Sequence, residues 1–165
     1  MIVLGIDPGM AETGFGVIAV DGSRMRALDH GVVTTAAGVP AAARLAVLHE
    51  RTAELVSRHA PGAAALEDLF VGANPRTILS VGQARGAVLA ALGAAGLDAA
   101  GYPPAEVKKA VCGFGRADKG QMTRMVCAIL GLDAPPATDH AADALAVAVC
   151  YATQSRASVR LAVAR

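Results

Sequence analysis

The chain opens on an unbroken apolar run, Met1 to Ile6, that stops at Asp7-Pro8-Gly9. A strand buried on both faces reads this way, because polar alternation disappears when neither side meets water, and the Pro-Gly pair ends it in a turn. Thr13 to Val20 predicts a second strand, Asp21-Gly22 a hairpin turn, and Arg24 to Thr35 a third strand returning antiparallel. From Pro40 to His59 the period changes. Leu45, Leu48, Thr52, Leu55 and Val56 recur at threes and fours, while Arg44, Glu50, Arg51 and Glu54 fall largely on the other side. That is the pattern of an amphipathic helix.

Ala63 to Leu66 is a short buried strand with Glu67 at its end, and Ala99 to Tyr102 is a fifth strand. Between them, Asn74-Pro75 reads as an N-cap and first helical residue, opening a helix towards Ala95. Further helices are expected from about Pro104, from about Asp118, and from about Asp139 to Ala152. The order is βββ-α-β-α-β-ααα, which predicts an α/β layered domain with a mixed five-stranded sheet, its first three strands antiparallel. No repeat or linker divides it. Residues 1–154 are expected to form one domain, with residues 155–165 a loose, Arg-bearing basic tail.

A hydrophobic fraction of 54% excludes a disordered chain, although much of it is alanine, which fills helix surfaces as well as cores. Nothing before the first strand resembles a secretory leader, and the longest nearly uncharged stretch, Gly86 to Leu97, is too short and glycine-rich to span a bilayer. The three cysteines form no CxxC pair and, being odd in number, cannot all pair within the chain. Reduced thiols and a cytoplasmic location are therefore expected, without membrane association. A net charge of +1 does not by itself predict a polyanionic partner. Its distribution points further: from Asn74 to Cys127, seven basic residues (Arg76, Arg85, Lys108, Lys109, Arg116, Lys119, Arg124) stand against three acidic ones (Asp98, Glu106, Asp118). Such a band suits either a solvated surface or a nucleic-acid track.

The candidate chemistry lies in carboxylates at element ends. Asp7 and Glu67 each sit where a buried strand exits, the position at which open α/β sheets build sites. Asp139-His140-Ala141-Ala142-Asp143 opens the last helix, where His140 and Asp143, three apart, share a face; Asp139, four before Asp143, is not excluded. Each has a plain alternative: a turn for Asp7, a solvated loop for Glu67, an N-cap for Asp139. Taken together, converging carboxylates without an evident nucleophile suit divalent-metal phosphoryl transfer, since a cation offsets their mutual repulsion.

With those residues in view, the chain resembles the RuvC family of Holliday-junction resolvases over nearly its whole length. The resemblance is carried by Gly5-Ile6-Asp7-Pro8-Gly9 with Thr13-Gly14-Phe15-Gly16, Glu67 with Phe70, and Gly82-Gln83-Ala84-Arg85-Gly86. It is continued by Val107-Lys108 with Gly113 and Lys119, and by Ala141 to Ala146. The resemblance implies a ribonuclease-H-like fold, a homodimer, and an endonuclease that makes paired symmetric nicks across a four-way junction, leaving 5′-phosphate and 3′-hydroxyl ends. By motif it implies a metal site of Asp7, Glu67, His140 and Asp143 holding Mg²⁺ or Mn²⁺, two per active site. Many members carry Asp where this chain has His140, which leaves metal preference open and Asp139 as an alternative donor. Phe70 is expected to stack on a base at the crossover, or else to pack in the core. Lys108 and Lys119 are expected to face phosphates, with Arg76, Lys109, Arg116 and Arg85 as weaker candidates. Gly82, Gly86 and Ala90 give the Asn74 helix a flat face, which packs either on the chain's own sheet or on a second copy in the dimer. A RuvA–RuvB branch-migration complex is implied as a partner.

Three other readings remain open at this point. A non-catalytic junction-binding protein would bind without cutting, and another ribonuclease-H-like nuclease would share fold and chemistry with a different substrate. An actin-like ATPase shares the Asp7 to Gly16 pattern but needs a second half that 165 residues do not accommodate.

Overall fold

A computed structural model of the chain describes residues 1–68 and 74–163, with side chains to residue 156. Strands β1 (Ile2–Asp7), β2 (Glu12–Asp21) and β3 (Arg24–Thr34) form an antiparallel meander, and β4 (Ala63–Glu67) and β5 (Ala99–Tyr102) add in parallel on the other side of β1. The sheet order is β3-β2-β1-β4-β5. Five helices complete the domain: α1 (Ala41–His59), α2 (Pro75–Ala94), α3 (Pro104–Cys112), α4 (Lys119–Leu130) and α5 (Asp139–Val163).

Strand parity assigns the two faces. Leu4, Ile6, Ala64 and Leu66 point to one side and join Leu55, Val88 and Leu92 from α1 and α2. Val3 and Ala65 point to the other and join Val107 and Val111 of α3, Val126 of α4, and Leu145 and Val149 of α5. Odd-numbered residues of β1 and β4 therefore face α5. The parallel register pairs Ile6 with Leu66, so Asp7 and Glu67, one residue further along, emerge side by side on the α5 face.

α5 can come close to that face because the sheet has glycine where its first turns cross. A Cβ at Gly5 would overlap the Ala144 carbonyl, and one at Gly14 would overlap the carbonyl of His140. These glycines bring the first turns of α5 down onto β1 and β2 without steric cost.

The helix starts follow their caps. Asn74 accepts from the Arg76 amide at 2.9 Å ahead of Pro75, and Asp118 with Gln121 closes a capping box at the start of α4. α5 runs beyond the expected end at Ala152 to Val163, into the segment expected from the sequence to be a loose tail. No glycine or proline interrupts residues 139–163, and alanine, leucine and arginine there favour helix. By length and composition α2 could cross a bilayer. Its Ala84, Val88, Ala91 and Leu92 are instead buried in the domain core.

Candidate active site

Asp7 begins a loop that is held in several places. The Thr13 hydroxyl donates to the Gly9 carbonyl at 2.7 Å. The Met10 carbonyl accepts from Arg44 Nη2 at 3.0 Å and from the buried Thr35 hydroxyl. At the start of α5 the Thr138 hydroxyl accepts from the Ala141 amide at 3.2 Å, so Thr138, not Asp139, caps the helix. That phase turns His140 and Asp143 towards the sheet and leaves Asp139 outside, paired with Lys119 Nζ at 2.9 Å. Of the two candidates at the last motif, His140 is the one facing Asp7.

His140 Nδ1 lies 2.6 Å from Asp7 Oδ2, and its Nε2 lies 3.5 Å from Glu12 Oε2. Burial pulls the imidazole pKa down, but the hydrogen bond to Asp7 and the charges of Asp7, Glu12 and Asp143 outweigh it, so the ring holds its proton more tightly than a free histidine. Glu67 is pushed up to about 7, first by burial and then by the negative charges of Asp7 and Asp143, with Lys108 opposing. The Asp143 carboxyl is raised by burial and by Asp7, with Lys119 opposing. Asp7, Glu67 and Asp143 are thus electrostatically coupled, and among neighbouring groups the cations that oppose their crowding are lysines and a histidine.

Two clefts meet at Glu67. One, of about 310 Å³, is lined by Asp7, Gly9, Glu67, Thr77, Pro104 and His140 among others. The second, of about 170 Å³, is lined by Glu67, Asp143, Lys108, Lys119, Val107 and Met122 together with Pro104. The four residues of the expected metal site therefore flank one point, and the two lysines expected to face phosphate stand beside it. Among the described residues, no three His, Cys, Asp or Glu side chains are already arranged to hold a metal ion; the His140 ring closes on Asp7 instead.

The other expectations divide. Arg76, Lys109 and Arg116 are exposed, and none lines either cleft. Phe70 lies outside the described residues. Arg85 points inward to the end of β4. On α2, Gly86 and Ala90 are exposed and Gly82 half-buried, with nothing within 4 Å of a Cβ built on Gly86. Among the described residues, nothing of the chain's own sheet covers that face at Gly86. Glu12, beside His140, and the Asp68–Arg85 pair were not anticipated. Glu12 opens β2 five residues past Asp7, where nothing in the local pattern marks it as facing a helix that begins at residue 139.

A family model described as crossover junction endodeoxyribonuclease RuvC matches residues 3–151. RuvC of Thermomicrobium roseum is 50% identical over 158 residues, covering 96% of each chain, and that of Moorella thermoacetica is 48% identical over 153 residues, covering 93% of this chain and 92% of its own. The structure of Thermus thermophilus RuvC in complex with a Holliday junction substrate superposes with a TM-score of 0.92 at 40% identity, covering 96% of each chain. That likeness extends to the ribonuclease-H-like sheet order described above. By the family model over residues 3–151 and by relatives 48–50% identical over nearly its whole length, the chain belongs to the RuvC family of crossover junction endodeoxyribonucleases.

Proposed function

We propose that the paired clefts are the centre of a divalent-metal-dependent endonuclease that resolves four-way DNA junctions, the kind of substrate with which the Thermus relative was solved. The observation that carries this reading is that Asp7, His140 and Asp143 line two clefts that meet at Glu67, where burial first, and then the charges of Asp7 and Asp143, push the Glu67 carboxyl up to about 7. Such a cluster is costly to ionise unless a cation neutralises it, and oxygen donors suit Mg²⁺ or Mn²⁺. The donor set therefore fits the metal that the family implies. Asp7, Glu67 and Asp143 would hold it, with His140 as a further donor once its ring leaves Asp7, and we assign two ions per centre. When bound, divalent cations supply activation of the attacking water and neutralise charge on the phosphate and the leaving oxygen.

The chain's own groups do the rest. Lys108 and Lys119 attract the backbone and set a phosphodiester beside the carboxylates, contacts that position without reading sequence. Water adds to phosphorus as the bond to the 3′ oxygen breaks, which leaves 5′-phosphate and 3′-hydroxyl ends. Phe70 follows Glu67 closely enough in sequence to meet an unpaired base near the crossover. Two such centres are needed for paired nicks. The exposed α2 face, where Leu79 is 66% and Leu89 39% exposed beside Gly86 and Ala90, is the surface we assign to a homodimer. Residues 1–154 constitute the nuclease domain in this reading, which places the protein in the cytoplasm beside a RuvA–RuvB complex.

The test is cleavage of a labelled synthetic junction with Mg²⁺ and Mn²⁺ separately, wild type against Asp7→Asn. Paired symmetric nicks that vanish in Asp7→Asn, while junction binding persists, are expected. Binding without nicks in either metal would favour a non-catalytic junction-binding protein and overturn the assignment.

A further inference from the structure

The exit of β4 is held from two sides by groups that the nuclease reading leaves without a role. The peptide unit joining Glu67 to Asp68 donates its N–H to the Tyr102 carbonyl on β5 at 2.8 Å. Its C=O accepts from Arg85 Nη1 on α2 at 2.6 Å. The other terminal nitrogen, Nη2, donates to Asp68 Oδ1 at 2.9 Å. That carboxylate lies where a side chain on β5 would be, since a Cβ at Gly101 would collide with it. The Arg85 side chain is only 20% exposed, so these charge-assisted bonds are partly shielded from water, where they are stronger.

A peptide plane bonded at both its N–H and its C=O cannot turn without breaking both bonds. The β4 ladder fixes the chain before Glu67, and this plane fixes it after, so the direction of the Glu67 Cα–Cβ bond is set. We propose that Arg85 is a positioning residue: through the Glu67 carbonyl and the Asp68 carboxylate it holds the backbone from which Glu67 is aimed at Asp7 and Asp143. This rests on the reading of Glu67 as a metal donor. Its guanidinium is committed inward, so Arg85 is not a phosphate contact. The planar fork spans two acceptors on one segment at once. A lysine ammonium offers no such fork, so Arg85→Lys keeps the charge and loses the clasp. Because α2 also lines the larger cleft through Thr77, Ile78 and Val81, the clasp keeps that wall in register with the donor strand.

The experiment compares wild type, Arg85→Lys, Asp68→Asn and Glu67→Gln as full chains. Junction affinity is measured in EDTA, Mn²⁺ affinity from the metal-induced rise in Tm, and cleavage under single-turnover conditions. For Arg85→Lys the expected result is unchanged junction affinity in EDTA, with half-saturating Mn²⁺ raised about tenfold or more and cleavage reduced by about 10–100-fold. Asp68→Asn, which keeps an acceptor but not its charge, is expected to show a smaller loss of the same kind. Wild-type Mn²⁺ titration and cleavage in Arg85→Lys would overturn the proposal, as would a cleavage loss matched by weaker junction binding in EDTA. If Arg85→Lys fails to fold, Asp68→Asn decides alone, and an unaltered Mn²⁺ titration in it overturns the proposal. Glu67→Gln separates the two readings. Should it cleave normally, the site assignment fails; should it be inactive while Arg85→Lys is normal, only the clasp fails.

Discussion

Glu67→Gln in metal-free protein tests the electrostatics of the site apart from its catalysis. In the folded chain Glu67 titrates at about 7 against an ordinary 4.5, whereas in the unfolded chain it returns to the ordinary value. A folded pKa above the unfolded one means that the native state keeps a proton the unfolded state has released. The stabilising contribution is therefore complete below about pH 4.5 and is lost as pH rises through about 7. Full ionisation of Glu67 would cost roughly 3 kcal/mol by that difference. Water at the mouth of the cleft screens the charges, which brings the figure to about 1–2 kcal/mol. Glutamine keeps the shape and carries no charge. In EDTA, Glu67→Gln is expected to match wild type at pH 4.5 and to exceed it at pH 8 by that amount, roughly 2–8 °C in Tm for a domain of this size. Thermal unfolding followed by circular dichroism across pH 4.5–8 measures the difference, and Asp143 and His140, present in both proteins, largely cancel. Adding Mn²⁺ at pH 8 should raise wild type more than the variant. The reasoning is refuted if Glu67→Gln is less stable than wild type at pH 8 in EDTA, or if the gap between them does not change with pH.

Lys108→Gln and Lys119→Gln should each weaken junction binding evenly across sequences and lower the slope of log affinity against log salt by about 1; an unchanged slope would make them merely solvated charges. Asp139→Ala should leave the metal requirement of cleavage unaltered and His140→Ala should raise it, as read from Mn²⁺ titrations of activity, and the reverse order would return the fourth donor to Asp139. Gly14→Ala should cost about 3 kcal/mol or more in urea unfolding, because the new methyl group meets backbone, not a flexible side chain. Leu79→Glu together with Gly86→Glu should shift the protein towards monomer in light scattering and convert paired nicks to single ones, whereas an unaltered mass would remove α2 from the dimer interface.

Most of the fold was legible because its signals are local and agree with one another. The continuous run before Asp7 marks a strand covered on both faces, and helices α1 and α5 do cover β1. The hairpin at Asp21-Gly22 places Gly22 at φ 53°, a conformation open to glycine at little cost. Asn74-Pro75 and Asp118 mark helix starts by chemistry that caps need in any context. The last helix was harder. Its start at Asp139 is marked by charge, but its end rests on the absence of a breaker, and polar residues after Gln154 do not stop a helix by themselves. For the site, Asp7 and Glu67 could be placed at strand ends from their flanks. That they face α5 follows from parity and the register of β1 on β4, which couples residues about sixty apart and has no trace in either segment alone.

α2 shows where sequence patterning stops being informative. It is apolar on most of its circumference, so periodicity cannot say which side lies against the sheet. Gly86 and Ala90 were compatible with either face, and Arg85 read as one more cation in a basic band. Packing resolves both at once: burying Ala84, Val88, Ala91 and Leu92 turns Gly86 and Ala90 outward. The same rotation brings Arg85 to the edge of the buried face, within reach of the β4 carbonyl. The two assignments are therefore linked. The phase that turns Arg85 to the Glu67 carbonyl is the same phase that leaves Gly86 and Ala90 exposed. In the function proposed above, one helix phase therefore serves both the hold on Glu67 and the face offered to a second copy, which would tie the geometry of one nick to the means of making two.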